Sequence, residues 1–317
     1  MRILVLGGTA FVGRAIVDDA LRRDFKVTLF GRGRTGTDLF PSVPRMIGDR
    51  ETGDYAALAA GGWDAVVDVS GYVPRHVRQA MGALGDRVGH YLFISSNAVY
   101  ADDLGPGATE DAARKPPVRD TEELNQDTYG RCKVACEDDV VARYGDRATI
   151  VRPGQVAGPY DPQDVFTYWV RRAARGGRVA VPGSPDQPVQ VLDSRDLGRL
   201  VTKLLEDGRS GAYNAVGPAE PTTLGGLVRT CAEVAGTDVR PVPVPADALP
   251  AWFPLYRPRP QWPTQQRSAA KARAAGLPAT PLAETAAAVL ASDRARGEPP
   301  LTRGPGAAAE AALLARA

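Results

Sequence analysis

The sequence predicts an α/β protein: a doubly wound parallel sheet joined to a second, smaller domain. Three observations carry this. Short apolar runs alternate with helix-period segments through the first half of the chain. The first run leads through a glycine-rich turn directly into a helix. The length, 317 residues, accommodates one full α/β domain with a smaller partner.

Taken in order, strands are expected at 3–6, 27–30, 45–47, 65–69, 91–94 and 148–151, where aliphatic and β-branched residues cluster. Helices are expected at 11–23, 54–60, 75–84 and 128–144, whose apolar residues recur at helical spacing. Parallel strands need such crossover helices. The second half changes character. Residues 154–183 are rich in Gly and Pro, and the stretch from Pro241 to Pro263 is studded with prolines and aromatics. A strand at 189–192, a helix at 197–205 and a strand at 213–216 interrupt these stretches. The chain is therefore expected to leave the sheet near Gly154, return near Pro188 and leave again near Gly217. That places residues 1–153 and about 186–216 in the sheet domain, and about 154–185 and 217–295 in the smaller domain. The latter would cover the ligand crevice at the carboxyl ends of the strands and bind substrate. Residues 296–317 are an Ala-, Gly- and Pro-rich tail, read as frayed or as a peripheral helix.

Composition excludes several classes. The net charge is only +2 and the basic residues are scattered, so neither a nucleic-acid nor a membrane partner is expected. The three cysteines, Cys132, Cys136 and Cys231, make no CxxC spacing, and there are two histidines. No disulfide framework or metal site is expected, and a reducing, cytoplasmic location is. The amino-terminal apolar run is too short for a secretory signal, and no run is long enough to span a bilayer.

The turn after the first strand reads Gly7-Gly8-Thr9-Ala10-Phe11-Val12-Gly13. Small residues at this spacing allow a tight turn, close approach to a pyrophosphate and close helix packing, as in Rossmann dinucleotide sites. The helix start then offers free N–H groups and a favourable dipole to the phosphates. Gly7, Thr9, Ala10, Phe11, Val12 and Gly13 are the candidate cofactor contacts. Ala10 departs from the strict pattern, which has glycine there. NAD-binding folds place an acid at the end of the second strand; here the strand runs into Gly31-Arg32-Gly33-Arg34. Two arginines would repel nothing on a 2′-phosphate, so Arg32 and Arg34 point to NADP, with NAD as the alternative. They also suit ordinary solvated surface positions. Asp49, after the third strand, is expected near the adenine edge or as a plain loop residue.

Tyr129 and Lys133 stand four residues apart on a predicted helix, hence on one face, in a chain with only five lysines. A cation beside a phenol favours phenolate and is expected to lower the tyrosine's pKa toward neutrality. Upstream, Ser95-Ser96-Asn97-Ala98-Val99-Tyr100 closes a strand where ligands bind. With the glycine turn, and with Arg152-Pro153-Gly154-Gln155 leading to Gly158-Pro159, the chain resembles an extended short-chain dehydrogenase/reductase of the NAD-dependent epimerase/dehydratase family. The likeness covers residues 1 to about 215. Ala10 resembles an atypical branch that includes chloroplast stem-loop-binding relatives. The resemblance implies that Tyr129 is the general acid/base, that Lys133 binds the nicotinamide ribose and tunes Tyr129, and that Ser96 polarises the reacting oxygen. It places Pro153 and Gln155 near nicotinamide and substrate. Asn97, Gln155 and Tyr168 are the candidate substrate contacts; Tyr168 belongs to the Phe166-Thr167-Tyr168-Trp169 cluster, which suits a pocket wall and core packing equally.

Three functions are compatible with this pattern. One is an NADPH-dependent reductase of a ketone or related group in a small molecule. The second is an NAD-dependent nucleotide-sugar epimerase, disfavoured by the missing acid. The third is a non-catalytic dinucleotide- or RNA-binding protein, disfavoured by the intact Ser96, Tyr129 and Lys133. Dehydratase activity is not expected: the family's dehydratases follow a threonine with two acids, whereas this chain has Ser96-Asn97-Ala98. Only Asp102, Asp103 and Glu110 in the next loop stand as substitutes. The resemblance also implies a homodimer packed through the 128–144 helix, with Val134, Val140 and Val141 as apolar candidates.

Overall fold

A computed structural model describes residues 1–249 and 252–317. The chain opens as β1 (Arg2–Leu6), α1 (Phe11–Arg22), β2 (Lys26–Gly31), β3 (Arg45–Ile47), β4 (Trp63–Asp68), α2 (Pro74–Leu84), β5 (Val88–Ile94), α3 (Thr128–Tyr144) and β6 (Ala148–Pro153). It continues through β7 (Gln155–Ala157), α4 (Val165–Ala173), β8 (Gly177–Pro182), β9 (Pro188–Val189), β10 (Val191–Asp193), α5 (Ser194–Glu206) and β11 (Gly211–Ala215). Last come β12 (Thr222–Thr223), α6 (Leu224–Ala235), β13 (Val239–Val244), α7 (Ala270–Ala274), α8 (Leu282–Ala295) and α9 (Ala307–Leu314).

Seven strands form one parallel sheet in the order β3-β2-β1-β4-β5-β6-β11. The order reverses between β1 and β4, so the crevice for ligands opens at their carboxyl ends. Successive residues of β1 serve opposite faces, as strand geometry requires. Ile3 and Val5 pack with Ile16 and Val17 of α1 and Leu197 and Leu200 of α5. Leu4 and Leu6 pack with Val77 and Ala80 of α2 and Cys136 and Val140 of α3. Helices on both faces explain why these strands read as continuous apolar runs.

A separate core gathers Trp169 and Val170 of α4, Val179 and Val181 of β8, Leu227 and Val228 of α6, and Val289 of α8. Here β8 pairs in parallel with β13, Gly177 opposite Val239. Pro241 and Pro243 are tolerated in β13 because it has a partner on one side only. Of the proline-studded stretch beyond it, Pro250 and Ala251 lie outside the described residues.

Two expectations are corrected. The helix at 54–60 is a single 3-10 turn, Ala56–Ala59, cut short before Gly61-Gly62. The strand at 189–192 is two short strands outside the main sheet: β9 pairs with β12 and β10 with β7. Gln190 divides them, its N–H donating to the Gln265 side chain and its own amide bridging the Arg267 peptide. The chain re-enters the main sheet only at β11, on the edge beside β6. Of the two readings of the tail, the peripheral helix is the one found. It forms α9, where buried Glu310 accepts hydrogen bonds from Arg172 (2.6 Å) and the Ala180 N–H (3.1 Å).

The valines of α3 also part company. Val134 and Val140 are buried in the subunit's own interior, and only Val141, 49% exposed, faces outward. Among the described residues no helix is long and apolar enough to cross a membrane.

Candidate active site

The turn after β1 is shaped by the absence of side chains. Gly7 sits at φ +94°, and a Cβ there would lie 2.8 Å from the Ser70 Cβ. A Cβ on Gly13 would lie 2.0 Å from the Gly7 carbonyl oxygen, so α1 begins in direct contact with the turn. Ala10 is exposed and extended, at φ −126°, which costs an L-residue nothing; the departure from glycine is accommodated. No side chain caps α1 and no acid stands in its first turn, leaving its first N–H groups for an external anion. Thr9 is tied to Thr35 of the next loop (3.3 Å). Phe11 and Val12, half-buried, pack against the sheet core and anchor the helix start. These features fit a dinucleotide pyrophosphate.

At the end of β2, Arg32 and Arg34 are exposed and make no ion pair or side-chain hydrogen bond among the described residues. Asp49 accepts a hydrogen bond from the Glu51 N–H (3.1 Å), so it orders its own loop.

The second half of the site is set by α3. A Cβ on Gly130 would lie 2.1 Å from the Ala98 carbonyl oxygen. Only glycine lets α3 rest on the segment following β5, and this contact brings Tyr129 against Ser96. Of the paired serines, Ser95 turns inward and donates to buried Glu137 (2.6 Å). Ser96 accepts from the Ala98 N–H (3.1 Å), which leaves its hydroxyl proton free. Burial raises the Tyr129 pKa above the ordinary phenol value, and the Ser96 hydroxyl partly offsets this. The lowering expected from Lys133 is thus corrected: desolvation of the phenol wins. Lys133 is 2% exposed, and burial lowers its pKa. Its ammonium donates to the carbonyls of Gly71 (2.7 Å) and Ile94 (2.9 Å), at the ends of β4 and β5, and keeps one proton in hand.

Glu137 is the structural hub behind these groups. It holds Arg152 of β6 through two hydrogen bonds, 3.0 and 2.8 Å, both partners being buried. Arg152 also donates to the Tyr100 hydroxyl and to the Glu110 carbonyl, both at 2.9 Å. Pro153, buried, ends β6, and Gln155 begins β7 with its amide turned to the Val156 carbonyl (3.2 Å). Asn97 lies beside Gly154, its Nδ2 3.4 Å from where a Cβ would stand.

Tyr168 does not belong to the site. It is 2% exposed, packed edge-on against Trp169 and Phe253, with the chain at Gly304 crossing its ring. Burial raises its pKa strongly, and its hydroxyl is buried without a partner among the described residues. Nor do the loop acids reach the serine. Asp102 pairs with Lys115 (2.9 Å), Glu110 accepts from the Asn214 N–H (2.7 Å), and Asp103 is exposed. Among the described residues no cluster of His, Cys, Asp or Glu is arranged to hold a metal.

With this geometry in place, the comparison with known proteins is decisive for kinship. A family model described as "NAD dependent epimerase/dehydratase family" matches residues 3–216. The chain belongs to this family. It is 26% identical over 253 residues to the chloroplast stem-loop binding protein of 41 kDa b of Arabidopsis thaliana, covering 74% of this chain and 63% of that protein. It is 28% identical over 160 residues to dTDP-4-dehydro-6-deoxy-D-allose reductase of Streptomyces bikiniensis, covering 48% of each. The chain thus spans less than two thirds of the length of these curated relatives. Among solved structures, RMD of Pseudomonas aeruginosa complexed with NADPH has a TM-score of 0.67 at 22% identity, covering 93% of this chain and 99% of that one. UDP-glucose 4-epimerase of Thermotoga maritima with UDP-glucose has 0.71 at 20%, covering 94% and 100%. Both likenesses establish the fold.

Within this family member, sequence reasoning missed two features of the crevice. Tyr72, 47% exposed, follows β4 and its ring lies 5.1 Å from the Lys133 ammonium. Asp68, fully buried at the end of β4, accepts from Arg50 (2.8 Å), Tyr91 (2.8 Å) and the Ser70 N–H (3.2 Å). It thereby braces the loop whose Gly71 carbonyl holds Lys133. An acid terminating an apolar strand at the carboxyl edge of the sheet was the available signal.

Proposed function

We propose that the protein is an NADPH-dependent oxidoreductase that adds a hydride to a ketone or related unsaturated group of a small molecule, with Tyr129 as general acid. The observation that carries this reading is the half-buried Tyr129, its phenol desolvated against the Ser96 hydroxyl at the carboxyl edge of the sheet. A raised pKa keeps the phenol protonated at neutral pH, as a proton donor requires. Bound NADPH would supply the hydride. Tyr129 gives its proton to the carbonyl oxygen as that oxygen gains electrons, and Ser96 donates a hydrogen bond to the same oxygen. Lys133, held by two backbone carbonyls, directs its remaining proton to the nicotinamide ribose and favours the phenolate left after transfer.

NADP preference rests on Arg32 and Arg34, free to form charge-assisted hydrogen bonds with a 2′-phosphate. The Streptomyces relative, named a reductase, and the NADPH-bound Pseudomonas neighbour support the same reading. Free, buried cysteines support residence in the reducing cytoplasm.

Titration is expected to show NADPH binding more tightly than NADH. Arg32→Ala with Arg34→Ala should weaken NADPH by about 2–4 kcal/mol and leave NADH nearly unchanged. Tyr129→Phe should lower turnover by roughly 10²-fold or more while cofactor binding persists. Equal affinity of the native protein for both cofactors would overturn the first claim, and a fully active Tyr129→Phe the second.

A further inference from the structure

Four arginines of the described residues are almost entirely buried: Arg50, Arg152, Arg172 and Arg267. Three hold a carboxylate, from Asp68, Glu137 and Glu310 respectively. Arg267, 4% exposed, holds none. Its Nε and Nη1 are buried without a hydrogen-bond partner among the described residues. Its guanidinium rests on the Tyr100 ring, 5.0 Å from the centroid. Burial lowers its pKa, with Tyr100 and the exposed Asp102 acting the other way. A guanidinium stays charged at any physiological pH, so an unpaired one in the interior is a standing demand for an anion.

Arg267 also lines a cavity of about 360 Å³ between the β9–β12 pair and the segment leading into α7. Its wall carries a second arginine, Arg273, and the amides of Gln190, Gln265 and Gln266, but no carboxylate. Apart from Thr222 the remainder is apolar, from Val216 and several prolines. The backbone of Arg267 is clamped by Gln190, 2.9 Å in each direction, so the side chain is presented from a fixed point. The cavity adjoins the proposed site. Val216 lies 3.1 Å and the Asn97 amide nitrogen 3.4 Å from the position a Cβ would take at Gly154, and Asn97 follows Ser96 in the chain.

We propose that this cavity binds the anionic end of the substrate, a carboxylate or phosphate ester, and that Arg267 is the residue that selects it. The proposal deepens the oxidoreductase reading and rests on it for the word substrate; the anion site itself stands on Arg267 and the cavity. A polar, acid-free wall suits hydrogen bonding to an anion, and the apolar part suits a short carbon skeleton reaching back toward Ser96 and Tyr129.

The test uses pyrophosphate and malonate as probes of the two anion classes, against sodium chloride at matched ionic strength. The full chain is titrated by calorimetry in saturating NADP, which occupies the phosphate site at α1. At least one probe is expected to bind the native protein, and the tighter one identifies the class. Arg267→Met should weaken that binding by at least about tenfold, and Arg267→Lys should recover part of it. Because Arg267→Met removes an unpaired buried charge, it should melt at or above the native temperature in chloride, and the probe should no longer raise it. Tyr129→Phe should bind the probe as the native protein does, which separates failure of the anion site from failure of the catalytic reading. Binding unaltered in Arg267→Met, or binding of neither probe by the native protein, would overturn the proposal. So would a loss of melting temperature shared by Arg267→Met and Asp102→Asn, which would make Arg267 a structural partner of Asp102.

Discussion

Replacing Gly13 by alanine puts a methyl carbon where the fold has no space. The new Cβ would stand 2.0 Å from the Gly7 carbonyl oxygen and 3.0 Å from the Gly8 Cα, whereas ordinary contact begins at 3.4 Å. The first turn of α1 must therefore retreat by about 1.4 Å. Nothing opposite can swing aside, because the obstacle is backbone. The turn is pinned by the Gly7 N–H on the Phe30 carbonyl (3.1 Å) and by the positive φ of Gly7. Overpacking of this kind costs about 1–3 kcal/mol of stability. The larger effect falls on the phosphate site, since the unpaired N–H groups move with the helix, and a 1 Å misplacement in a positioned site costs on the order of 10²-fold. NADPH affinity, followed by nicotinamide fluorescence, is expected to fall by about tenfold to a hundredfold. Gly82→Ala is the control. Gly82 is exposed within α2 and its Cβ would meet nothing within 4 Å, so the variant should bind normally and gain about 0.5–1 kcal/mol. A Gly13→Ala protein with native stability and native NADPH affinity would refute the view that this contact builds the phosphate site.

Other consequences are more direct. Glu137→Ala leaves Arg152 buried without its carboxylate and removes the acceptor of Ser95, and urea unfolding should show a loss of about 3–5 kcal/mol. Asp193 and Asp293 are buried, which alone would raise their pKa values, but hydrogen bonds from Arg195 and Thr285, and from Arg171 and Arg296, hold both below the ordinary carboxylate range. Carboxylates lowered by folding stabilise above their unfolded pKa and cease to do so as pH falls through the folded one. The urea midpoint should therefore drop steeply as pH falls below about 4; a midpoint insensitive to acid there would contradict this. If the protein dimerises through α3, Val141 is the exposed apolar residue available to the contact, so Val141→Asp should dissociate a dimer seen by light scattering, and a native monomer at micromolar concentration excludes one.

Local pattern was enough to place β1 to β6, the helices α1, α2 and α3, the glycine turn and the Tyr129–Lys133 pair, because each is specified within one turn or one strand by residues adjacent in the chain. Gly7 and Gly13, set between the first strand and the first helix, pointed to the tight turn and close helix contact found there, and α3 was legible from end to end. What the sequence left open are pairings between distant segments. Tyr168 presents the same aromatic cluster whether it faces a pocket or a core, and Phe253 and the chain at Gly304 decide it. The acidity of Tyr129 was misjudged because proximity to a lysine is visible at i, i+4 while desolvation is not. Likewise four arginines look alike as letters, and only the folded chain brings Asp68, Glu137 and Glu310 to three of them. Ion pairing and burial depend on which remote segments meet, and that is settled by tertiary packing rather than by any window of sequence.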